Sequence, residues 1–474
     1  MSRVFGEQLF ALPASAHPIV AGLDLKALHA FGLASRQCAR WREQAMKHLD
    51  WYVYAMSKYT QKEGFQVARF SVSTDQWQSL PPLKPLGRGL AGSSSHVAVA
   101  IGLDVFVVCV AEWPGYQPHC LARFDAWKGF WEFLDSPILY RGGSHRSRDL
   151  MQPGPVIVHR GSILMAGGSW AQHETYPCAY CRQNEVTVAK WAPTGGNGWE
   201  CLPVLPVPRV SRLVSAAKNL YSLSTTEHCF DGCSRSATMS FSFERWDSAA
   251  QRWIALQPLQ NDELISTCRN GRIHSLGNHI MAIHLDDREA CGRAQRTRQA
   301  WIYDTQSNDW SRVPAPSTPR HRFHTQVFRG GLYVLGGMQC AAWDYPGILY
   351  EERDIRSVEV FVPHTSSCTT ATSVAELVSQ QMRNLAQGRW LKAPDVPHYW
   401  YDDHMQPFHT TPDQRLLFAV GGVAHADSIG NVAFSSFLPD MSATGTWRQL
   451  PEAPHCLAVG MVAVCARALY PSAF

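Results

Sequence analysis

Two pairs of closely spaced cysteines are the residues of this chain best suited to bind a metal. Two residues separate the members of the first pair, and three separate those of the second. Four thiolates brought together could hold a structural zinc ion in a tetrahedral site and so join the two segments that carry them. Free thiols, or one pair acting alone, are the alternative. The four residues are Cys178, Cys181, Cys229 and Cys233.

Catalytic chemistry has no recognisable signature in the sequence. The nucleophile elbow Gly-x-Ser-x-Gly, the zinc motif His-Glu-x-x-His, the phosphate-binding P-loop and the dinucleotide-binding glycine pattern are all absent. The 20 histidines are scattered, and most lie near arginine, proline or glycine. We therefore expect a protein that is not an enzyme and needs no cofactor beyond the zinc considered above.

Arginine and aromatic residues recur in segments rich in turn-forming residues, and these two classes dominate protein binding sites. Guanidinium groups bind carboxylates and phosphates in a bidentate manner. If these segments meet on one surface, that surface would bind an acidic or phosphorylated peptide. The alternative is that each arginine is separately solvated or paired with a nearby carboxylate. We call this predicted surface the loop face, and its candidate residues are Trp113, Arg146, Arg148, Trp170, Arg296, Arg320, Arg322, Trp343 and Trp400.

Composition narrows the class of protein. Of the 474 residues, 45% are apolar and only 17% are charged, which argues against a disordered chain. Lys+Arg exceed Asp+Glu by only 43 − 39 = 4, and no basic run indicates a nucleic-acid or membrane partner. The N-terminus does not read as a secretory signal, so the 14 cysteines are expected to be mostly reduced thiols in the cytoplasm or nucleus.

The elements that position these residues are indicated by a tryptophan repeat. Seven tryptophans are each followed by a short segment rich in leucine and proline, at spacings of 54 to 80 residues. An aromatic residue precedes four of them by seven positions. Apolar runs typical of β-strands lie upstream of each, so that each unit predicts four short strands separated by turns. The seven are Trp77, Trp131, Trp199, Trp253, Trp310, Trp390 and Trp447.

This succession of apolar run, Gly-Gly pair, variable segment, aromatic residue and tryptophan resembles the Kelch repeat. Gly-Gly pairs stand at 167–168, 336–337 and 421–422. Each repeat of that family forms one four-stranded blade of a propeller. The resemblance implies an all-β fold, a Kelch-type β-propeller of seven blades over residues 51–474. Six blades result if Trp199 or Trp447 lies outside a blade, and a β-sandwich array is the further alternative.

The last apolar run of the chain, residues 459–470, has no unit of its own. The first unit lacks a strand run before Trp51. We therefore expect the C-terminal run to supply the innermost strand of the first blade and close the ring, which would remove the open sheet edges of a linear array.

Residues 1–50 differ from the repeats and predict a short helical segment. Their spaced leucines and Cys-x-x-Trp-Arg ending resemble the C-terminal half of an F-box. A helical cap on the propeller is the alternative. The residues that the resemblance assigns to adaptor binding are Leu25, Leu28, Leu33, Cys38 and Trp41.

F-box and Kelch resemblances together imply a substrate receptor of an SCF-type cullin–RING ubiquitin ligase. The N-terminal segment would bind a Skp-type adaptor within the cullin complex, and the loop face would bind the client protein. A plain Kelch interaction scaffold without adaptor binding is the alternative. The third hypothesis is an enzyme like the copper radical oxidases, which also use Kelch-like propellers. Those enzymes need a Tyr/Cys/His copper centre, and no such centre is identifiable in this sequence.

Overall fold

The computed structural model describes the β-strands of the chain and the shorter segments that join them. The predicted helical segment before residue 50 lies outside the described residues. The described residues are 50–56, 64–72, 74–83, 96–101, 104–110, 119–125, 129–134, 151–170, 188–192, 198–203, 205, 212–228, 238–256, 261–286, 297–321, 323–328, 330–340, 352–362, 388–396, 408–410, 417–419, 435–438, 446–449, 451 and 462–468.

Within these residues the strands form seven four-stranded antiparallel sheets and one two-stranded sheet, and we number the four-stranded sheets in chain order. Sheet 1 contains β1 (Asp50–Met56), β2 (Phe65–Ser71) and β3 (Gln76–Leu83), together with the C-terminal strand β30 (Val462–Ala468). Sheet 2 contains β4 (His96–Ile101), β5 (Asp104–Val110), β6 (His119–Asp125) and β7 (Phe130–Leu134). Sheet 3 contains β8 (Met151–His159), β9 (Ser162–Trp170), β10 (Val188–Trp191) and β11 (Trp199–Cys201).

The remaining sheets follow the same pattern. Sheet 4 contains β12 (Arg212–Ala216), β13 (Asn219–His228), β14 (Thr238–Asp247) and β15 (Arg252–Ala255). Sheet 5 contains β16 (Arg272–Leu276), β17 (His279–Asp286), β18 (Thr297–Asp304) and β19 (Asp309–Val313). Sheet 6 contains β20 (His324–Phe328), β21 (Gly331–Leu335), β24 (Val358–Val362) and β25 (Arg389–Ala393), with the hairpin β22 (Met338–Cys340) and β23 (Glu352–Asp354) between its middle strands. Sheet 7 contains β26 (Phe408–Thr410), β27 (Leu417–Ala419), β28 (Ser435–Leu438) and β29 (Thr446–Gln449).

The prediction of an all-β, propeller-like fold is confirmed. In sheets 2 to 7 the strands pair in chain order. In sheet 1 the order is β30, β1, β2, β3, and counted in this order each repeat tryptophan lies in the fourth strand of its sheet. In sheet 1, β30 pairs with β1 along its whole length, from Asp50 opposite Ala468 to Met56 opposite Val462. The first strands of neighbouring sheets contact one another in the order β30, β4, β8, β12, β16, β20 and β26, and β26 in turn contacts β30.

Each repeat tryptophan faces an aromatic residue on the third strand of its sheet. Ring centroids of Phe70 and Trp77 lie 5.2 Å apart, and those of Phe361 and Trp390 lie 5.4 Å apart. Such tilted aromatic pairs add to the hydrophobic burial between sheets. The partners, in chain order, are Phe70, Phe124, Trp191, Trp246, Tyr303, Phe361 and Phe437. Thus Trp199 and Trp447, whose spacing is irregular in the sequence, occupy the same position in their sheets as the other five.

One α-helix lies in the described part of the chain, α1 (Asp262–Asn270), between sheets 4 and 5. The side chain of Asn261 accepts hydrogen bonds from the backbone N–H groups of Glu263 and Leu264, which caps the helix. Leu264 and Cys268 are buried in the core between the two sheets. This helix is not long and apolar enough to cross a membrane.

The Gly336–Gly337 pair after β21 matches the predicted Gly-Gly position. Both residues have positive φ, and a Cβ at Gly337 would lie 2.8 Å from the backbone oxygen of His321. This close approach permits Met338 and His321 to exchange two backbone hydrogen bonds of 2.8 and 2.9 Å. Glycine is therefore required where the chain leaves sheet 6 and contacts the segment that enters it.

Candidate functional site

The two ends of the sheets differ in how their strands are joined. In an antiparallel sheet, successive connections lie at opposite ends. In sheets 2 to 6 the first and second strands are joined by two-residue turns at one end, such as residues 160–161, 217–218 and 277–278. The third and fourth strands are joined at the same end, in sheet 6 by residues 363–388. Second and third strands are joined at the other end by longer segments, such as residues 171–187, 287–296 and 336–357. We call these the turn end and the loop end.

Most of the predicted loop face lies outside the described residues. Trp170 is the last residue of β9, which places its backbone at the loop end of sheet 3. The other members that the structure does not describe are Trp113, Arg146, Arg148, Arg296, Arg322, Trp343 and Trp400. Two further sets of predicted residues lie outside the described residues: the four zinc-candidate cysteines, and the predicted adaptor-binding residues Leu25, Leu28, Leu33, Cys38 and Trp41.

Arg320 was predicted on the loop face, and the structure shows that this prediction is wrong. Its side chain is 0% exposed. One terminal nitrogen, Nη1, donates to the carbonyls of Gly336 and Ser357 at 2.9 and 2.7 Å. The other, Nη2, donates to Glu359 Oε1 at 2.8 Å and to the Ser357 hydroxyl at 3.0 Å. Arg320 thus ties the segment before β20 to sheet 6 and cannot contact a client.

Glu359 completes this buried network. Its carboxylate accepts hydrogen bonds from the backbone N–H and hydroxyl of Ser317, at 2.7 and 2.8 Å, and from the backbone N–H of Thr318 at 3.1 Å. Burial alone would raise the pKa of Glu359, but these hydrogen bonds and the charge of Arg320 outweigh it and hold the pKa below its ordinary value. The sequence carried a signal for a buried acid, since Glu359 stands inside the apolar run Val-Glu-Val-Phe-Val of β24.

Glu244 occupies the corresponding position in sheet 4, two residues before the aromatic partner of the repeat tryptophan. It is as buried as Glu359, but its Oε2 atom has no hydrogen-bond partner within the described residues. Burial raises the pKa of Glu244, and the nearby Ser242 opposes this only in part. The same position therefore holds a stabilised carboxylate in sheet 6 and a destabilised one in sheet 4.

Neighbouring sheets are joined by a repeated hydrogen bond that the tryptophan spacing does not predict. In five sheets the indole N–H of the repeat tryptophan donates to a proline carbonyl of the preceding unit, at 2.7 to 3.1 Å. The accepting proline always stands four residues after the preceding repeat tryptophan. The pairs are Trp77 with Pro451, Trp131 with Pro81, Trp253 with Pro203, Trp390 with Pro314 and Trp447 with Pro394.

The exception at Trp310 supports this rule. The unit before it has Gln257 at the position where five other units have proline, and the unit of sheet 2 has Asp135 there. Its indole N–H is buried and has no hydrogen-bond partner in the described residues. Trp310 instead packs against the apolar cluster that contains Leu264 and Cys268 of α1. Proline at the fourth position after the tryptophan is therefore the sequence signal for the inter-sheet bond.

A cleft of about 230 Å³ opens at the turn end between sheets 3 and 4. Its floor is apolar and includes Leu164, Leu220 and Trp246. Its rim is basic, with the cationic residues Arg160, Lys190 and Lys218. The remaining lining residues are His159, Ser162, Glu200, Leu202, Asn219, Ser248 and Gln251.

Charge in this cleft is only partly balanced. Lys190 pairs with Glu200 at 3.1 Å, whereas Arg160 and Lys218 have no ion-pair partner among the described residues. His159 shares a 2.7 Å hydrogen bond with Ser215 through its Nδ1 atom. Burial lowers the pKa of His159, and the charges of Arg160 and Lys190 lower it further. A positive potential therefore extends over the wall of the cleft.

Metal binding has no support in the described part of the chain, where no group of three or more His, Cys, Asp or Glu side chains is placed to hold an ion. Two cysteines there are free thiols, Cys201 and Cys268. Burial raises the pKa of the Cys268 thiol, which makes it a core residue rather than a nucleophile.

Comparison with known proteins identifies no family: no family model and no curated protein match this chain. Solved structures do match it. A fungal alcohol oxidase of the AA5 family in complex with copper is 13% identical, with a TM-score of 0.44. That match covers 76% of this chain, which spans 65% of the oxidase chain. A putative 6-phosphogluconolactonase from Bacteroides uniformis is 12% identical over 88% of this chain and 100% of that one, with a TM-score of 0.48.

Proposed function

We propose that this chain is a closed, seven-bladed Kelch-type propeller that captures a client protein and performs no chemistry. Each four-stranded sheet would be one blade. Support comes from the contacts between successive first strands and from the Trp77–Pro451 hydrogen bond, which joins sheets 1 and 7. The recurring tryptophan–proline bonds would make the ring rigid, as a binding scaffold requires.

The observation that carries the functional part is the contrast between the two ends of the sheets. Long segments join the second and third strands in sheets 2 to 7, whereas two-residue turns join the first and second strands in sheets 2 to 6. This is the arrangement in which variable loops bind a partner and a rigid scaffold positions them. The connections at the loop end, both within sheets and between successive sheets, contain most of the arginine and aromatic residues of the loop face. An acidic or phosphorylated client is the ligand that this chemistry favours.

The client would be presented to a ubiquitin ligase through the N-terminal segment. On the F-box resemblance, Leu25, Leu28, Leu33, Cys38 and Trp41 would bind a Skp-type adaptor, which links the receptor to the cullin complex. The protein would then act in the cytoplasm or the nucleus, where such ligases work. Its contribution to ubiquitination would be proximity between client and ligase.

Co-purification of the full chain with a Skp-type adaptor tests this proposal. We expect wild type to retain the adaptor and the double variant Leu28→Ala/Trp41→Ala to lose it. Lys392→Gln, at an exposed position on β25, is the matched control and should behave as wild type. If wild type retains no adaptor, the receptor proposal fails, and the chain is a Kelch scaffold without a ligase.

Client capture is tested separately on the loop face. Arg146→Glu combined with Arg148→Glu should abolish recovery of the proteins that cross-link to wild type, while adaptor binding stays intact. Arg320→Glu is not a suitable variant, because it would place a second acid beside Glu359 and unfold sheet 6. Unchanged cross-linking by the double variant would remove these arginines from the binding site.

A further inference from the structure

The cleft between sheets 3 and 4 lies at the turn end, opposite to the loop face. Three cations and one carboxylate line it, which leaves a local charge of about +2. Exposed basic side chains are normally solvated singly, but here Arg160, Lys190 and Lys218 come from three different chain segments and converge on one opening. The fold thus brings together positive charges that are far apart in the sequence.

Tight turns place part of the cleft lining at its opening. Arg160, Lys218 and Gln251 adopt left-handed φ values of 49°, 64° and 50° in the turns that line the cleft. The corresponding turns of other sheets adopt the same conformation, at Gly277, Asp75 and Asn308, so it belongs to the turn geometry. In this cleft the turns carry two cations and an amide to the opening.

The floor of the cleft indicates which second group the ligand carries. Leu164, Leu220 and Trp246 are at least nine-tenths buried and close the cleft from below. Trp246 has the largest exposed fraction of the three, 9%, and a small ion would leave its exposed edge in contact with water. A ligand that fits both surfaces carries an anionic group for the rim and an adjacent apolar group for the floor.

We propose that this cleft binds a phosphorylated segment of a partner protein, with the phosphate at Arg160 and Lys218 and a neighbouring apolar side chain on the floor. A phosphate monoester carries a charge of about −2 at neutral pH and so matches the excess positive charge of the rim. A single carboxylate would neutralise only half of it. The site does not depend on adaptor binding or on the loop face. This proposal and the proposed function can therefore be tested independently.

Binding of synthetic peptides to the full chain, measured by isothermal titration calorimetry, tests this proposal. The probe is a short peptide with a leucine next to a phosphoserine. Its unphosphorylated form and a form with glycine in place of leucine are the comparison ligands. We expect the first change to abolish binding, and the second to weaken it about tenfold, as loss of one buried leucine side chain predicts.

Glycine variants separate binding from folding. Arg160→Gly and Lys218→Gly relieve the left-handed strain, so each should melt no lower than wild type. Each should nevertheless weaken peptide binding about tenfold, the loss expected for one charge-assisted hydrogen bond. Ala217→Gly is the matched control, because Ala217 adopts φ 48° in the same turn and carries no charge. It should also melt no lower than wild type and should bind the peptide unchanged.

Three results would overturn the proposal. The first is absence of peptide binding to wild type. The second is binding that neither Arg160→Gly nor Lys218→Gly weakens relative to Ala217→Gly. The third is tighter binding of a single-stranded RNA oligonucleotide than of the phosphopeptide, which would assign the basic rim to nucleic acid.

Discussion

The two connections that flank sheet 5 are built from different kinds of side chain. The connection before it contains α1, whose Leu264 and Cys268 fill the space beside Trp310. The connection after it is extended, and Pro314 and Arg320 satisfy polar groups of sheet 6. One junction is therefore stabilised by apolar filling and the other by a saturated polar network.

This difference shows which residues each kind of junction requires. Apolar filling tolerates an unsatisfied indole N–H at Trp310, because packing supplies the stability. The polar network requires all of its members, since a buried charge without its partner is far more costly than an apolar replacement. Substitutions in the second connection should therefore be the more damaging.

The largest effect is expected for Arg320→Met, which removes the cation from the buried network and leaves Glu359 without it. Loss of one partner of a buried ion pair typically costs about 3–5 kcal/mol of unfolding free energy. Midpoints of urea unfolding would measure it. The double variant Arg320→Met/Glu359→Leu should recover much of the loss, since it removes both charges.

Arg312→Met is the matched control for that comparison. Arg312 pairs with Glu263 of α1 at 3.3 Å, with side chains that are 58% and 48% exposed. Surface ion pairs contribute about 0–1 kcal/mol, so this variant should unfold close to wild type. Equal losses for Arg312→Met and Arg320→Met would show that burial does not distinguish the two connections.

The second prediction concerns pH. Because the pKa of Glu359 is lowered in the folded state, its charge stabilises the fold above the ordinary pKa of about 4.5. This contribution is lost as the pH falls through the lowered value. Glu359→Gln should therefore be less stable than wild type at pH 7, by roughly 2 kcal/mol or more, because Arg320 stays buried without its charge partner. The difference should shrink below pH 4.5.

Glu244→Gln should show the opposite sign. Its pKa is raised by burial, so the charged form opposes folding at pH 7 and the uncharged amide should be the more stable. The advantage of the amide should vanish once the pH falls below the ordinary value and the carboxyl is protonated in both states. If Glu244→Gln is instead as destabilising as Glu359→Gln, the carboxylate of Glu244 is stabilised in the folded protein. The contrast between the two sheets would then fail.

The smallest effect is expected for the indole hydrogen bonds. Trp390→Phe removes the bond to Pro314 but keeps an aromatic ring, and should cost about 1 kcal/mol beyond the lost ring area. Trp310→Phe removes an N–H that has no partner, so it should cost less than Trp390→Phe. Thermal unfolding of both variants compares them directly. A larger loss at Trp310 would mean that α1 supplies more than apolar contact.

The strands and the tryptophan positions could be predicted from the sequence because both follow from local patterns. Continuous apolar runs bounded by turn residues define strands such as β17, and the aromatic residue before the tryptophan defines the third strand. The pairing of β30 with β1 was also predictable. The C-terminal apolar run belongs to none of the seven repeats, and the first repeat is one strand short, so the two were expected to pair.

The role of Arg320 could not be predicted in this way. It lies between strands and beside His321 and Arg322, which makes it resemble an exposed loop residue. Its partner Glu359 is 39 residues away, and only the folded sheet brings them together. The cleft was missed for the same reason, although the turn Ala217-Lys218, which has no glycine, was a local signal of strain.

The pairing of β1 with β30 has a consequence for synthesis of the protein. Met56 and its partner Val462 are about 400 residues apart, and at about 5–20 residues per second a ribosome needs roughly 20–80 seconds to make the chain between them. Throughout that time the first sheet has an unpaired edge that another strand could occupy. Exchange of the last strand between neighbouring chains is the misassembly that such a delay favours.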